Sequence, residues 1–541
     1  MQTLAHDRKE PSCRMQQFVE LCVSLASVVA SLFLGLGSGF GYASVILLAL
    51  STLLFVLLTI RLFLPGSFIG KTKYGFLFLL IVIVGFGYST VFTPLTVPDE
   101  DYHFAASYEW SNVLMGKAPN EFDGSHARTL LDDRYTYKFS ADSLAATSEN
   151  FEWIDSSRDS TDTTVEELFK QQAGRFFRGR AGVSLVSNPL QVKLPSALGL
   201  VFGRLLGLGF IPLYFLGRVF NLLAFAAVVV LAVKITPKGK PIFAVLSLLP
   251  MTLHEAGSYS YDAMTIAYAF LATAMFLSAT EKHDKMTLKE GVGLFLVTVI
   301  LAPCKVIYFL VCFLVLLIPG ERFSSRRNRV LFCAGIIFAA FATVYVLKFT
   351  SIASISSGSS VVEYTESSDG TLSDYEVVKT ISVQWALSHP VEIASLVFRS
   401  LKFYMGGYIS QFVGVSLGWR QEDIIAPLWT MIPLWGCLLL STVNSADHEY
   451  EVAKWHRLAF AIIFFAGCSA VVASMLFGNT AEGAELIRGV QGRYFLPFAP
   501  LAFLAIHPNR LKLKFQTTVS LPIFMACGSL AFLCLIVSMV V

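Results

Sequence analysis

The sequence predicts an all-α polytopic membrane protein with about 13 transmembrane helices, and three observations support this fold class. Hydrophobic residues make up 55% of the 541 residues and charged residues only 15%, whereas soluble proteins carry about 25% charged residues. Apolar runs close to the length that spans a bilayer recur along the chain. Lys and Arg are concentrated in alternate short loops, as in multi-pass proteins.

Thirteen apolar segments are candidate transmembrane helices. In chain order they are residues 18–36, 42–64, 75–93, 215–233, 241–253, 262–280, 289–302, 304–319, 330–349, 425–442, 458–477, 492–507 and 517–541. Three of them, 241–253, 289–302 and 304–319, are short for a bilayer, and we expect them to be tilted, broken or re-entrant. The first run is too long for a cleavable signal, so we interpret it as an uncleaved anchor.

Two long polar segments interrupt the apolar pattern, at about residues 94–209 and 350–422. Neither has the simple composition of a linker, and we expect short helices in both. Residues 194–208 are apolar but include Arg204, which predicts an interfacial or a short buried helix.

The basic residues of the short loops predict the orientation of the chain. If the N-terminal segment with Arg8, Lys9 and Arg14 is cytoplasmic, six further loops on that side hold nearly all of the other short-loop Lys and Arg residues. The short loops on the opposite side hold only Lys305 and Arg488. A count of thirteen spans therefore places the N-terminus in the cytoplasm, and the C-terminus and both long polar segments outside it.

The positions of the cysteines argue against two classes of site. Eight of the nine cysteines, all except Cys13, lie in or beside apolar runs, and no CxxC spacing occurs. We therefore expect neither a disulfide framework nor a cysteine metal site. The net charge of +3 says nothing about nucleic acid, because what matters is where the charges fall. No nucleic-acid partner is expected.

An acidic motif opens the first long segment, directly after the third candidate span. Asp99 and Glu100 follow Pro98, a common first residue of helices, and acids in a first turn suit the helix dipole. Asp99 and His103 are four residues apart and share a helix face. Crowded carboxylates at a membrane edge also shift each other's pKa. The motif predicts either an acid–base group or a helix start that simply carries acids.

A second motif, LLPMTLHEAGSYSYD, lies between two apolar runs on the predicted outer side. It contains His254, Glu255, Tyr261 and Asp262. Asp262 enters the following span, where an acidic residue is costly without a partner or a function. We expect either a helix-capping aspartate or part of a binding site.

Two basic residues stand on the side of the membrane that is otherwise poor in them. Lys305 lies between two short apolar runs, and Arg493 lies in the motif GVQGRYFLP beside Gln491. A buried acid or an anionic ligand would pair with Lys305, and Arg493 is either a snorkelling anchor or a phosphate ligand.

The predicted orientation places all of these charges on one side of the membrane, although roughly 400 residues separate the first from the last. They are Asp99, Glu100, His103, His254, Glu255, Asp262, Lys305 and Arg493. An active site in which carboxylates act as a base and cations bind a phosphate would need all of these charges on one side.

Four motifs together resemble the bacterial multi-pass membrane proteins of domain of unknown function 2142 (DUF2142). They are PDE-x-x-HF, LPSALGLVFGRLLGL with LGRVFNLL, LLPM…SYSYDA, and GVQGRYFLP. The resemblance covers roughly residues 75–510. The chain departs from the family's pattern in two extra N-terminal spans, and in Asp101 and Tyr102, which stand where Pro-Ala is expected.

That family in turn resembles GT-C glycosyltransferases, which take a sugar from a polyprenyl-phosphate carrier on the extracytoplasmic face. The resemblance implies three parts: residues 1–74 with the N-terminal tail and two extra helices, a GT-C-like membrane domain at 75–510, and a C-terminal helix in 511–541. It implies an inverting hexosyl or pentosyl transferase of the bacterial plasma membrane, whose acceptor is a cell-envelope glycan or a lipid-linked molecule.

The resemblance also implies roles for individual residues. Asp99 or Glu100 would be the base that deprotonates the acceptor hydroxyl, and Lys305 and Arg493 would stabilise the leaving lipid phosphate. No cofactor is required, and a Mg²⁺ or Mn²⁺ ion, if present, would be bound by Asp99 and Glu100. The remaining predicted substrate- or phosphate-binding residues are His103, His254, Glu255, Tyr261, Asp262 and Gln491.

Three other functions compete with this interpretation. A flippase or transporter of lipid-linked sugars would need polar residues deep within its spans, and few charged candidates occur there. A polysaccharide polymerase or ligase also presents large outer loops with Arg and His. A scaffold without catalytic activity is the third alternative.

Overall fold

The computed structural model describes residues 10–38, 41–64, 72–92, 97, 99–117, 188–208, 210–357, 360–366, 372–417 and 425–540. Helices make up most of this part of the chain. The α-helices are α1 (Glu10–Ser38), α2 (Tyr42–Phe63), α3 (Lys73–Val91), α4 (Glu100–Leu114), α5 (Leu190–Leu205), α6 (Phe210–Ile235), α7 (Lys240–Ser247), α8 (Pro250–Ala256), α9 (Tyr261–Glu281), α10 (Leu288–Leu301), α11 (Arg326–Ser357), α12 (Val383–Ser388), α13 (Pro390–Val413), α14 (Met431–Ser441), α15 (Lys454–Asn479), α16 (Ala499–Ala505) and α17 (Thr517–Val540). The 3-10 helices are Val306–Leu317, Gly320–Arg322, Leu428–Thr430 and Gly492–Phe498.

Eight of the described helices are long and apolar enough to cross a membrane: α1, α2, α3, α6, α9, α11, α15 and α17. Their surroundings differ. Helix α9 is mostly buried inside the protein, whereas α11 and α15 are largely exposed and carry outward-facing side chains such as Phe338 and Phe465. The predicted class of a helical membrane protein is therefore confirmed, and the count of thirteen spans stays a prediction.

Shorter or broken helices occupy the five other predicted spans. Segment 241–253 is divided between α7 and α8, with the break just before Pro250. Segments 289–302 and 304–319 form α10 and a 12-residue 3-10 helix. Segments 425–442 and 492–507, predicted as ordinary spans, combine a 3-10 helix with a short α-helix. Pro497 lies inside the last of these, and proline interrupts the hydrogen-bond ladder of a helix.

The first long polar segment contains the two short helices α4 and α5. Helix α5 begins four residues before the apolar stretch 194–208 and contains Pro195. It packs against α4 and α6, as expected for the short helix predicted there. Residues 118–187 of this segment lie outside the described part of the chain.

The second long segment contains elements beyond the predicted short helices. The strands β1 (Ser360–Glu366) and β2 (Leu372–Lys379) pair in antiparallel fashion, with Tyr364 opposite Tyr375. They are followed by the short helix α12 and by α13, which has 24 residues. Helix α13 carries the exposed Arg399 and Lys402. These charges lower the hydropathy of the segment, so the sequence pattern is that of a loop. The segment therefore contains two strands and a long helix in addition to the kind of short helix that was predicted.

The helices near both ends of the chain pack together. Helix α17 contacts α1, α2 and α3. The hydroxyl of Ser31 lies 2.9 Å from Ser51 and 3.2 Å from the thiol of Cys534, and Ser520 donates to the buried carboxylate of Glu20. Small polar residues allow this close packing between membrane helices.

The basic loops meet at one end of the helical bundle. Lys238, after α6, lies 2.8 Å from Glu281 at the end of α9. The Nζ of Lys240 donates to the hydroxyl of Tyr74 at the start of α3. The loops predicted to be cytoplasmic therefore share one end of the structure.

A reporter fused at Lys238 is expected to lie in the cytoplasm, because basic loops are retained on that side. Fluorescent protein and alkaline phosphatase fusions at this position measure the side directly. A fusion at Arg488 is the matched control and is expected to give the opposite result. Phosphatase activity at Lys238 would reverse the predicted orientation.

Candidate functional site

An ion pair between Glu100 and Arg218 joins the start of α4 to α6. Nη2 and Nε of Arg218 donate to the two carboxylate oxygens of Glu100 at 2.6 and 2.8 Å, and both side chains are fully buried. Nη1 donates to the carbonyl oxygens of Ser89 and Phe92 at the end of α3. The backbone N–H of Tyr259 donates to Glu100 at 3.1 Å. This bidentate pair therefore holds α3, α4, α6 and the segment before α9 in place.

The two acids of the first motif have different surroundings. The carboxylate of Glu100 is already occupied by Arg218 and Tyr259, so the geometry gives it a structural role. Asp99 is exposed and precedes α4 in a left-handed conformation with φ 58°. It is the one non-glycine residue with positive φ in the described part of the chain, a conformation that costs about 1–3 kcal/mol. The predicted base is therefore better placed at Asp99 than at Glu100.

A second network of ion pairs joins α8, α9 and the 3-10 helix Gly492–Phe498. Nη1 of Arg493 lies 2.6 Å from an oxygen of Glu255, and its Nε lies 3.5 Å from Asp262. The other oxygen of Asp262 lies 2.8 Å from Nζ of Lys305. Helix α9 is capped by Ser260, whose hydroxyl accepts from the N–H of Asp262. The predicted helix-capping role of Asp262 is therefore wrong, and its carboxylate pairs with Lys305 and Arg493 instead.

Helix α13 positions the segment that carries Arg493. The N–H of Gly492 donates to the side-chain oxygen of Gln411 at 2.8 Å. A Cβ at Gly492 would collide with the carbonyl oxygen of Tyr408, so this close approach needs glycine. Gln491 is half-buried, and its carbonyl accepts from the N–H of Tyr494. Gln491 thus shapes the backbone here, and its predicted role in binding stays a prediction.

Two tyrosine rings lie among the cations. Nζ of Lys305 is 4.7 Å from the ring centre of Tyr261 and 3.9 Å from that of Tyr494. Nζ of Lys193 is 5.6 Å from the ring of Tyr261, and the guanidinium of Arg493 is 5.3 Å from that of Tyr494. These cation–π contacts hold three positive charges close together.

Two buried histidines complete the site. The ring of His103 meets the edge of Tyr261 at 4.5 Å, and its Nδ1 has no hydrogen-bond partner among the described residues. Burial, with the positive charges of Lys193, Arg493 and Lys305 nearby, holds the pKa of His103 well below its ordinary value, which favours the neutral ring. Neither ring nitrogen of His254 has a partner in the described part of the chain. Buried polar atoms without partners are rare in proteins, and they indicate a place where a water molecule or a ligand binds.

The structure thus brings most of the predicted residues together and adds two that the sequence analysis missed. Arg218 and Lys193 are fully buried and neither was predicted to be functional. Arg218 lies inside the motif LGRVFNLL, within an apolar run, and a charge in such a run is the signal that could have identified it. Lys193 directly precedes the motif LPSALGLVFGRLLGL.

The described side chains can also be compared with the requirements of a metal site. Among the described residues, no group of three His, Cys, Asp or Glu side chains is arranged to hold one. Of the predicted pair of ligands, Glu100 already accepts hydrogen bonds from Arg218 at both oxygens.

A comparison with protein families decides the relationship of the chain. The profile of the predicted membrane proteins named DUF2142 matches residues 77–502, close to the range 75–510 inferred from the motifs. The chain belongs to the DUF2142 family. No curated protein and no solved structure matches it. The DUF2142 region contains every residue of the two ion-pair networks, whereas α1, α2 and α17 flank it.

Proposed function

We propose that this DUF2142 protein is a membrane glycosyltransferase of GT-C type. It moves a hexose or pentose from a polyprenyl-phosphate donor to a cell-envelope glycan or a lipid-linked acceptor on the extracytoplasmic face. The observation that carries this proposal is the buried cluster of charges next to Asp99. Within the described residues, its four cations exceed its three carboxylates: Lys193, Arg218, Lys305 and Arg493 against Glu100, Glu255 and Asp262.

This excess of positive charge supports a phosphate as the ligand group. A buried cation without a counter-charge is costly, and a phosphate supplies the missing negative charge. The unpartnered Nδ1 of His103, both nitrogens of His254 and one oxygen of Glu255 offer further hydrogen-bonding atoms for a polar ligand.

An apolar groove supports a lipid as the carrier of that phosphate. The groove, of about 750 Å³, runs between α13, α14, α15 and the segment 492–505, and its lining includes Met405, Trp435 and Phe465. Phe495, only two residues beyond Arg493, also lines it. An isoprenoid chain in this groove would end close to the cations.

The reaction follows from this arrangement. Asp99 accepts the proton of the acceptor hydroxyl. The hydroxyl oxygen attacks the anomeric carbon of the donor sugar, and the configuration at that carbon is inverted. The bond between that carbon and the phosphate oxygen breaks, and the phosphate leaves with the electron pair. Arg493 and Lys305 stabilise the charge that develops on the leaving phosphate.

The test is a transfer assay with purified protein in liposomes that contain polyprenyl-phosphate hexoses and pentoses with radiolabelled sugars. We expect release of polyprenyl phosphate and labelling of an added envelope glycan. Consumption of diphosphate-linked oligosaccharides instead would support a polymerase. Movement of intact labelled lipid between the leaflets, with no loss of sugar, would support a flippase. Either result would overturn the proposed function.

Replacing Arg493 with Lys is expected to weaken donor binding about tenfold. Lysine keeps the positive charge that Glu255 needs but offers no planar fork for two phosphate oxygens. The Kd for a polyprenyl-phosphate sugar measures the effect. Arg488→Lys, at an exposed position, is the matched control and is expected to bind normally. An unchanged Kd in Arg493→Lys would remove Arg493 from the phosphate site.

A further inference from the structure

Lys193 is the cation of this cluster whose charge has no carboxylate partner. Its side chain is fully buried in α5, and its Nζ donates to the carbonyl oxygen of Tyr259 at 2.9 Å. Among the described residues no carboxylate oxygen lies within 4.0 Å of this Nζ, whereas Arg218, Lys305 and Arg493 each have one. When it is protonated, Lys193 is therefore the group that gives the cluster its excess of positive charge.

The surroundings of Lys193 form a built site. The ammonium groups of Lys193 and Lys305 both face the ring of Tyr261. His103 approaches the same ring by its edge, and its buried Nδ1 has no partner among the described residues. The amine groups of two lysines and one polar ring nitrogen thus surround a single aromatic side chain.

An anion would relieve the energetic cost of this arrangement. Burial holds the pKa of Lys193 well below its ordinary value, although Asp262 and Glu100 act in the opposite direction. Burial therefore favours the neutral form of this amine. A phosphate beside it favours the charged form, because an opposite charge raises the pKa of an amine.

We propose that Lys193, together with His103 and Lys305, binds the phosphate group of the ligand, and that Lys193 takes up a proton as the phosphate enters. The titratable and charged groups that face Lys193 are Glu100 and His103 from α4, Tyr261 and Asp262 from α9, and Lys305. The inference rests on the proposed function for the choice of ligand. Phosphate binding can be measured without sugar transfer, so the two proposals are tested separately.

The test uses isothermal titration calorimetry of the full-length protein in detergent, with farnesyl monophosphate as the probe. At pH 8 a phosphate monoester is already doubly ionised, since its second pKa is about 6. Titrations in two buffers with different heats of ionisation therefore count the protons that the protein takes up. We expect measurable uptake, of up to about one proton per bound ligand, in the wild-type protein.

Lys193→Met is the informative variant, because it removes the charge and keeps the length of the side chain. We expect about tenfold weaker binding of farnesyl monophosphate and no proton uptake. Thermal unfolding should change little, because no ion pair is lost and the cost of burying the amine is removed, which offsets the loss of the hydrogen bond to the carbonyl of Tyr259. Lys193→Gln is a second variant with a polar side chain and is expected to show the same losses. Lys402→Gln removes an exposed lysine of α13 and should behave as wild type.

Two further ligands separate the possible sources of the phosphate. Farnesol should bind the wild-type protein and Lys193→Met equally, because it has no phosphate. Inorganic phosphate is tested as a competitor of farnesyl monophosphate. If it binds as tightly as farnesyl monophosphate, the site binds a free anion. If it binds much more weakly, the site binds a lipid headgroup.

Wild-type affinity for farnesyl monophosphate in both Lys193 variants would overturn the inference. The absence of phosphate binding in the wild-type protein, or of proton uptake on binding, would do the same. Phosphate binding that depends on Lys193, in a protein without sugar transfer, would leave the inference standing and overturn the proposed function.

Discussion

Replacing Asp99 with Asn is expected to lower sugar transfer by about 10²- to 10⁴-fold, the usual contribution of a general base. Asn has the shape of Asp, tolerates the left-handed backbone at this position, and is a good residue before a helix. The fold and the Glu100–Arg218 pair should therefore persist. The rate of transfer by purified protein from a polyprenyl-phosphate donor measures the loss.

The matched control for this variant is Glu485→Gln. It removes an exposed carboxylate from the predicted outer side, away from the ion-pair networks, and it should retain full activity. Donor binding should be nearly normal in Asp99→Asn, because the proposed base contacts the acceptor. Full transfer activity in a folded Asp99→Asn protein would remove Asp99 from the mechanism.

Replacing Arg218 with Met is expected to destabilise the protein by about 3–5 kcal/mol, the usual effect of removing one partner of a buried ion pair. The variant leaves the carboxylate of Glu100 buried without its counter-charge. It also leaves the carbonyl oxygens of Ser89 and Phe92 without their donor. Thermal and denaturant unfolding in detergent measure the change.

A double variant separates charge from packing in this prediction. Adding Glu100→Met to Arg218→Met removes the unpaired carboxylate, so part of the lost stability should return. Arg488→Met is the control at an exposed position and should change stability by less than about 0.5 kcal/mol. If Arg218→Met unfolds like the wild-type protein, the ion pair does not hold α3, α4 and α6 together.

The helical membrane fold could be predicted from the sequence because its signals are local. Apolar length alone identifies α2, α3 and α6, and the structure has helices there. The broken segments are less predictable, since a run such as 492–507 has the composition of a span. Its division into a 3-10 helix and α16 depends on Pro497 and on the contact of Gly492 with α13.

The candidate site was predictable only where a charge stood against a local trend. Lys305 and Arg493 were identified because they lie on the side that is poor in basic residues, and the structure pairs them with Asp262 and Glu255. The sequence could not reveal that Glu100 is occupied by Arg218, because 118 residues separate the two. Lys193 was missed because its isolation from carboxylates is a property of the folded chain.

The packing of α17 against the first two helices bears on how the protein is made. Glu20 accepts a hydrogen bond from Ser520, which lies 500 residues later in the chain. At about 5–20 residues per second, the ribosome needs roughly 25–100 s to synthesise that interval. During this time the acid on the newly inserted α1 lacks its hydroxyl donor, and one flank of α1 and α2 is uncovered. A nascent chain that stalls before α17 would leave this flank of α1 and α2 uncovered and open to membrane proteases.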